Sequence, residues 1–198
     1  LLQNGKVKFH SITDNFQTRE PFFVETGDAI PSSLPAKEQK ELVGLAEEVL
    51  EKLGIQNGCI HFEAKATKNG PVPIETNLRM GGDYIYSFIK GTWGVDMIEN
   101  AVKIACGMYI HHIPKPERPL KFLAGKYFIP DYSGILAKLD VDEKLKKDAR
   151  LEEVSLYKKI GDPILVPPEG FEFLGWFTAS GDNPIDTQDN LRELEKNV

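Results

Sequence analysis

The chain has 198 residues, 41% of them hydrophobic and 27% charged, with a net charge of −6. That is the composition of an ordinary globular protein of one large or two small domains. The acidic balance lacks any basic stripe, which excludes a nucleic-acid partner; with no apolar run long enough for a membrane helix and no signal peptide, a cytoplasmic protein is expected.

Lys6–Thr13 alternates apolar and polar residues and predicts a half-buried strand, with a turn at Asp14-Asn15. Pro21–Thr26 reads as a second strand, and the proline-containing stretch from Gly27 to Pro35 as a loop. Glu25 is taken there as a solvated strand-end residue. From Ala36 to Leu53 the spacing of Leu42, Leu45, Ala46, Val49, Leu50 and Leu53 predicts an amphipathic helix, with Pro35 at its start and Gly54 at its stop. Cys59 and Cys106 are widely spaced and expected as free thiols.

The stretch from Ile60 to Asp83 carries the chemistry. Two runs, HFEAKAT and VPIETNL, flank Asn69-Gly70, a strong hairpin signal. A three-residue loop, Lys68 to Gly70, would set Thr67 opposite Pro71, Glu63 opposite Glu75 and His61 opposite Asn77. Because side chains alternate with period two, Glu63, His61, Glu75 and Asn77 would then share a face. A two-residue loop would send the two glutamates to opposite faces. Opposed carboxylates repel unless a cation lies between them, and two carboxylates with an amide suit a hard ion such as Mg²⁺ or Mn²⁺. Pro71 and Pro73 cannot donate to a ladder, so pairing is expected to tighten only near the carboxylates. Arg79 continues the parity of Glu75 and Asn77. Its fork of donors, with the bare amides of Gly81-Gly82, matches phosphate or carboxylate oxygens. The competing reading is a solvated acidic strand.

After the glycines, Asp83–Lys90 is a short helix or extended loop. Gly94–Cys106 is a helix stopped by Gly107, with Asp96 in its first turn. His111–Pro119 is proline-rich and reads as a linker, with His111-His112 as a polar loop pair. Beyond it, strands are expected at 122–129, 133–139, 151–160, 164–166 and 173–179. A charged turn at 142–148 and a closing helix over 183–198 complete the reading. The fold class is therefore α+β: an antiparallel sheet with packed helices over 1–113, then a small β-rich domain over 114–198.

Glu63, the run Glu75-Thr76-Asn77-Leu78-Arg79 and Gly81-Gly82 together resemble the C-terminal half of an ATP-grasp ligase. Asn-x-Arg-x-Gly-Gly further resembles the L-amino-acid ligase and carnosine synthase branch. The resemblance implies an acyl-phosphate mechanism that joins a small carboxylate to an amine, with ATP as substrate. It assigns Glu63, Glu75 and Asn77 to Mg²⁺ or Mn²⁺ and Arg79 to catalysis. His61, Gly81, Gly82 and Asp83 fall to substrate, and a homodimer is compatible with it. It also implies a nucleotide-covering lobe upstream of Leu1, so that the chain is expected to be an inactive piece of a longer enzyme. A biotin-carboxylase-like enzyme and a non-catalytic metal-binding fragment are the alternatives.

Overall fold

The computed structural model describes residues 1–196. The chain forms two compact units: residues 1–12 with 32–120, and residues 13–31 with 121–198. The division expected from sequence, at 113/114, put residues 13–31 with the first part. In the structure they complete the sheet of the second.

In the first unit, β1 (Leu2–Gln3) and β2 (Lys6–Val7) form a short antiparallel pair. The predicted strand over Lys6–Thr13 is therefore regular for only two residues. Helix α1 (Ala36–Lys52) packs against the hairpin of β5 (His61–Thr67) and β6 (Gly70–Asn77). Leu50 is its buried anchor, while Leu53, expected on the apolar face, caps the helix and is 62% exposed. Next come α2 (Ile85–Trp93) and α3 (Met97–Ala105). Phe88, Ile89, Met97 and Ile104 are buried. Asp96 does more at α3 than offset its dipole. It is the N-cap, accepting from Glu99 N–H at 2.9 Å, and it pairs with Lys90 at 2.9 Å. The proline-rich stretch is no free linker. Ile113 N–H donates to the Lys8 carbonyl at 2.8 Å and Leu120 N–H to that of Thr92 at 2.8 Å, strapping it to the first unit.

The second unit is built on a five-stranded antiparallel sheet in the order β3 (Asp14–Asn15), β4 (Gly27–Ile30), β7 (Phe122–Phe128), β11 (Gly175–Gly181), β9 (Leu151–Leu156). Two expectations fail here: Asp14-Asn15 is a strand, not a turn, and Gly27–Ile30 is a strand, not a loop. Their extended state comes from pairing, with Ala29 opposite Ala124 and Ile30 opposite Leu123. Of the strand expected over Pro21–Thr26, residues 21–23 form a turn and Val24 makes a single bridge back to Arg19. A two-residue pair, β8 (Gly134–Ile135) with β10 (Pro163–Ile164), stands apart from the sheet. Residues Leu145–Lys147 of the charged run make one 3-10 turn.

Helix α4 (Pro184–Glu195) closes the core, with Leu191 and Leu194 buried alongside Phe177, Ala179, Val141 and Leu145. Asn183 caps it by accepting from Asp186 N–H at 3.0 Å. Of the helix expected over 183–198, the last two residues lie outside the described ones. Strand β11 is buried on both faces: Trp176 lies over Gly125, where an added Cβ would come within 2.0 Å of the indole ring.

Candidate functional site

The hairpin places the acidic residues where the sequence expects them, by a route the sequence does not announce. The tip has two loop residues, Lys68 and Asn69, since Thr67 pairs with Gly70. Taken alone, that register would put Glu63 and Glu75 on opposite faces. A bulge restores them: Ala64 pairs with Pro73 and Glu63 with Glu75, leaving Ile74 unpaired. Gly70, at φ +103°, takes the backbone angle that bends the tip. Phe62 then pairs with Thr76 and His61 with Asn77. The expected three-residue loop is thus corrected to two residues plus one inserted in the strand. The local signal for it was the pair of prolines, Pro71 and Pro73, which strands accept at edges and beside bulges.

Four groups meet on this face. The Asn77 amide donates to Oε1 of Glu75, which leaves its carbonyl oxygen as an acceptor. His61 Nδ1 stands 3.9 Å from Glu63 Oε1, too far for a hydrogen bond, and is buried without a partner. The His61 side chain is 23% exposed and that of Glu63 38%. Gly81 belongs to the same neighbourhood: an added Cβ would lie 3.4 Å from His61 Cδ2 and 3.1 Å from Ile85 Cδ1. The chain thus passes close to the imidazole where a side chain would crowd it.

The remaining candidates are placed beyond the hairpin. Strand β6 ends at Asn77, so Arg79 does not continue the strand parity. It is exposed, and its Nη1 donates to the Met80 carbonyl at 2.9 Å. Gly82 has open space around it, and Asp83 sits at φ +52°, a left-handed angle uncommon for a residue with a side chain. Both lie between the hairpin and α2.

Among the described residues no three His, Cys, Asp or Glu side chains converge as a metal-binding group. The hairpin offers two carboxylates and an amide oxygen, all hard donors. That fits a divalent ion that draws its other ligands from phosphate oxygens or water, as Mg²⁺ does. The unpartnered Nδ1 of His61 beside these oxygens is a polar group awaiting a contact.

Two stretches of the chain are similar to known proteins. Residues 1–87 match the ATP-grasp domain, and residues 126–198 match L-amino acid ligase C-terminal domain 2. Carnosine synthase 1 of Gallus gallus is 34% identical over 125 residues, 63% of this chain and 13% of that protein. Alanine–anticapsin ligase of Bacillus subtilis strain 168 is 24% identical over 207 residues, 96% of this chain and 44% of that protein. The L-amino acid ligase of Bacillus licheniformis shares the fold, with a TM-score of 0.84 at 23% identity over 100% of this chain and 51% of that one. The chain therefore spans about half or less of these relatives' lengths. Along its length it is thus similar first to the ATP-grasp domain and then to an L-amino acid ligase C-terminal domain.

Proposed function

We propose that the hairpin face is the metal- and phosphate-handling surface of an ADP-forming, ATP-dependent carboxylate–amine ligase. Its substrates are amino acids or dipeptide-like molecules, and its setting the cytoplasm. One observation carries the reading: Glu63 stands directly opposite Glu75, with Asn77 and His61 paired on the same face. Such a like-charged pair is favourable only with a cation between them. The names of two relatives, carnosine synthase and alanine–anticapsin ligase, fit the same substrate class.

In this reaction a substrate carboxylate oxygen attacks the terminal phosphorus of ATP and ADP leaves. An amine nitrogen then attacks the acyl carbon, loses a proton and expels inorganic phosphate. Glu63, Glu75 and Asn77 would hold Mg²⁺ or Mn²⁺, which supplies positive charge between phosphate oxygens. Arg79, tethered by one bond to Met80, keeps its other donors for the acyl phosphate. The amides of Gly81 and Gly82 serve the developing oxyanion. His61 and Asp83 contact substrate, the carboxylate of Asp83 suiting an incoming ammonium group.

The test is calorimetric titration of Mg²⁺ and ATP into the wild type and Glu75→Gln. Wild type is expected to bind, weakly in this chain and tightly in one extended to the length of its relatives. Glu75→Gln should lose roughly tenfold or more, about the worth of one charge-assisted contact. Amino-acid-dependent phosphate release by the extended protein completes the test. Release that answers only to bicarbonate and biotin would mark a carboxylase, and absence of binding in both proteins would end the catalytic reading.

A further inference from the structure

Helix α3 has two apolar faces, and the fold buries only one. At about 100° per residue, Met97, Ala101 and Ile104 fall on one side, where Met97 and Ile104 are buried and Ala101 half-buried. Ala105, Ile98, Val102 and the C-cap Cys106 fall on an adjoining stripe about 100° wide. All four are exposed, Ile98 by 48% and Val102 by 56%. The helix stops at Gly107, whose φ of +71° lets Met108 N–H reach the Lys103 carbonyl at 2.9 Å. Exposed Met108 and Tyr109 follow at once.

Beyond the stripe, turning away from the core, lies a charged flank. It holds Glu99 and Lys103, paired within the helix at 2.6 Å, with the N-cap Asp96 at its start. The order along the helix is acid first and base second. Consider two such helices run antiparallel about a twofold axis level with Val102. Each stripe then meets its copy, and Ile98 of one chain comes level with Cys106 of the other. The same axis keeps both charged flanks on one side of the pair. Glu99 of one copy and Lys103 of the other stand about 3 Å apart along the helix direction, so that four charges alternate in sign. A parallel pair would instead set Glu99 beside Glu99 and Lys103 beside Lys103. Opposed helix dipoles favour the antiparallel arrangement as well.

We propose that the exposed stripe of α3 is a self-docking surface on which a second copy of the chain seats antiparallel. Val102 lies at its centre, and Glu99 and Lys103 of the two copies alternate along one rim. Self-complementarity selects a second copy over an unrelated partner, because one surface supplies both the apolar stripe and the ordered charges that match it. The helix has nine residues, so the contact is about 14 Å long and the dimer is of the weak, concentration-dependent class. The surface uses no residue of the hairpin.

The experiment is sedimentation velocity over a range of chain concentrations, with reductant to keep exposed Cys106 out of disulfides. Wild type is expected to pass from monomer to dimer. Val102→Glu brings two carboxylates onto the axis and should weaken association by roughly a hundredfold with an unchanged melting temperature. Glu99→Lys and Lys103→Glu should each be monomeric alone, and mixing the two should restore a dimer. One chain then carries two positive charges at these positions and the other two negative. That recovery reads contact between copies, since neither variant chain keeps the ion pair within its helix. Wild type that stays monomeric at every concentration, a dimer indifferent to Val102→Glu, or mixed variants that fail to associate would overturn the proposal. So would a monomeric chain extended to the length of its relatives, which would mark the stripe as a seat for the added residues.

Discussion

At the scale of single residues, charge is spent in two ways. In the second unit Arg150 is held by two carboxylates, bonding Asp148 through Nε and Nη2 at 2.9 and 2.7 Å and Glu193 through Nη1 at 2.6 Å. Those bonds depress Asp148 to a pKa of about 2, the side-chain bond from Arg150 contributing most. The folded state therefore prefers the ionised form. The resulting stability is fully present above the unfolded carboxylate value near 4 and is lost as pH falls toward 2. We expect Asp148→Asn to lower the melting temperature at pH 6. The gap from wild type should close between about pH 4 and pH 2, as followed by calorimetry. Against this structural carboxylate stand Glu63 and Glu75, which oppose each other and, among the described residues, join no lysine or arginine. The identity of these glutamates, of Asn77 and of the glycine pair was legible in the sequence because chemistry fixes residue type. The close seat of Gly81 against His61 was not, because it depends on the path the chain takes after the hairpin.

At the scale of elements, the hairpin shows how a right pairing can be reached from a wrong loop. The alternation of HFEAKAT and VPIETNL fixed which residues should oppose each other. The tip, however, is one residue shorter than that pairing needs, and the bulge at Ile74 supplies the difference. Deleting Ile74 is a direct test. With the tip unchanged, Pro73 still pairs with Ala64 and the next residue, now Glu75, with Glu63, so the ladder becomes regular and both glutamates keep one face. Mg²⁺-dependent ATP binding should therefore survive the deletion, with circular dichroism and melting temperature little changed, since Ile74 is 56% exposed. Loss of binding in a deletion that still folds would refute the idea that the pairing of the two glutamates is what the site requires. The helices were legible from periodicity and caps, α1 and α4 to within a few residues. Strand β4 was not: GDAI between turn residues carries no alternation, and only its partner β7 makes it extended.

At the scale of the whole molecule, sequence texture marked a change near residue 113, but texture is local and the second unit is not. Its sheet draws β3 and β4 from residues 13–31 and everything else from beyond residue 120. A chain of residues 121–198 alone should therefore expose the long edge of β7 and associate or fold poorly by gel filtration and circular dichroism. A peptide of residues 13–31 supplied in trans should relieve this. A well-folded monomer of 121–198 would show that β3 and β4 are dispensable. The same discontinuity bears on synthesis. On the ribosome the β3–β4 pair emerges first, then waits while α1, the hairpin, α2 and α3 are made before its sheet neighbour appears. Two strands alone are marginal in water. The nascent chain must therefore carry an unsatisfied edge through much of its translation, a window in which a holdase chaperone or a pause in elongation would do the most good.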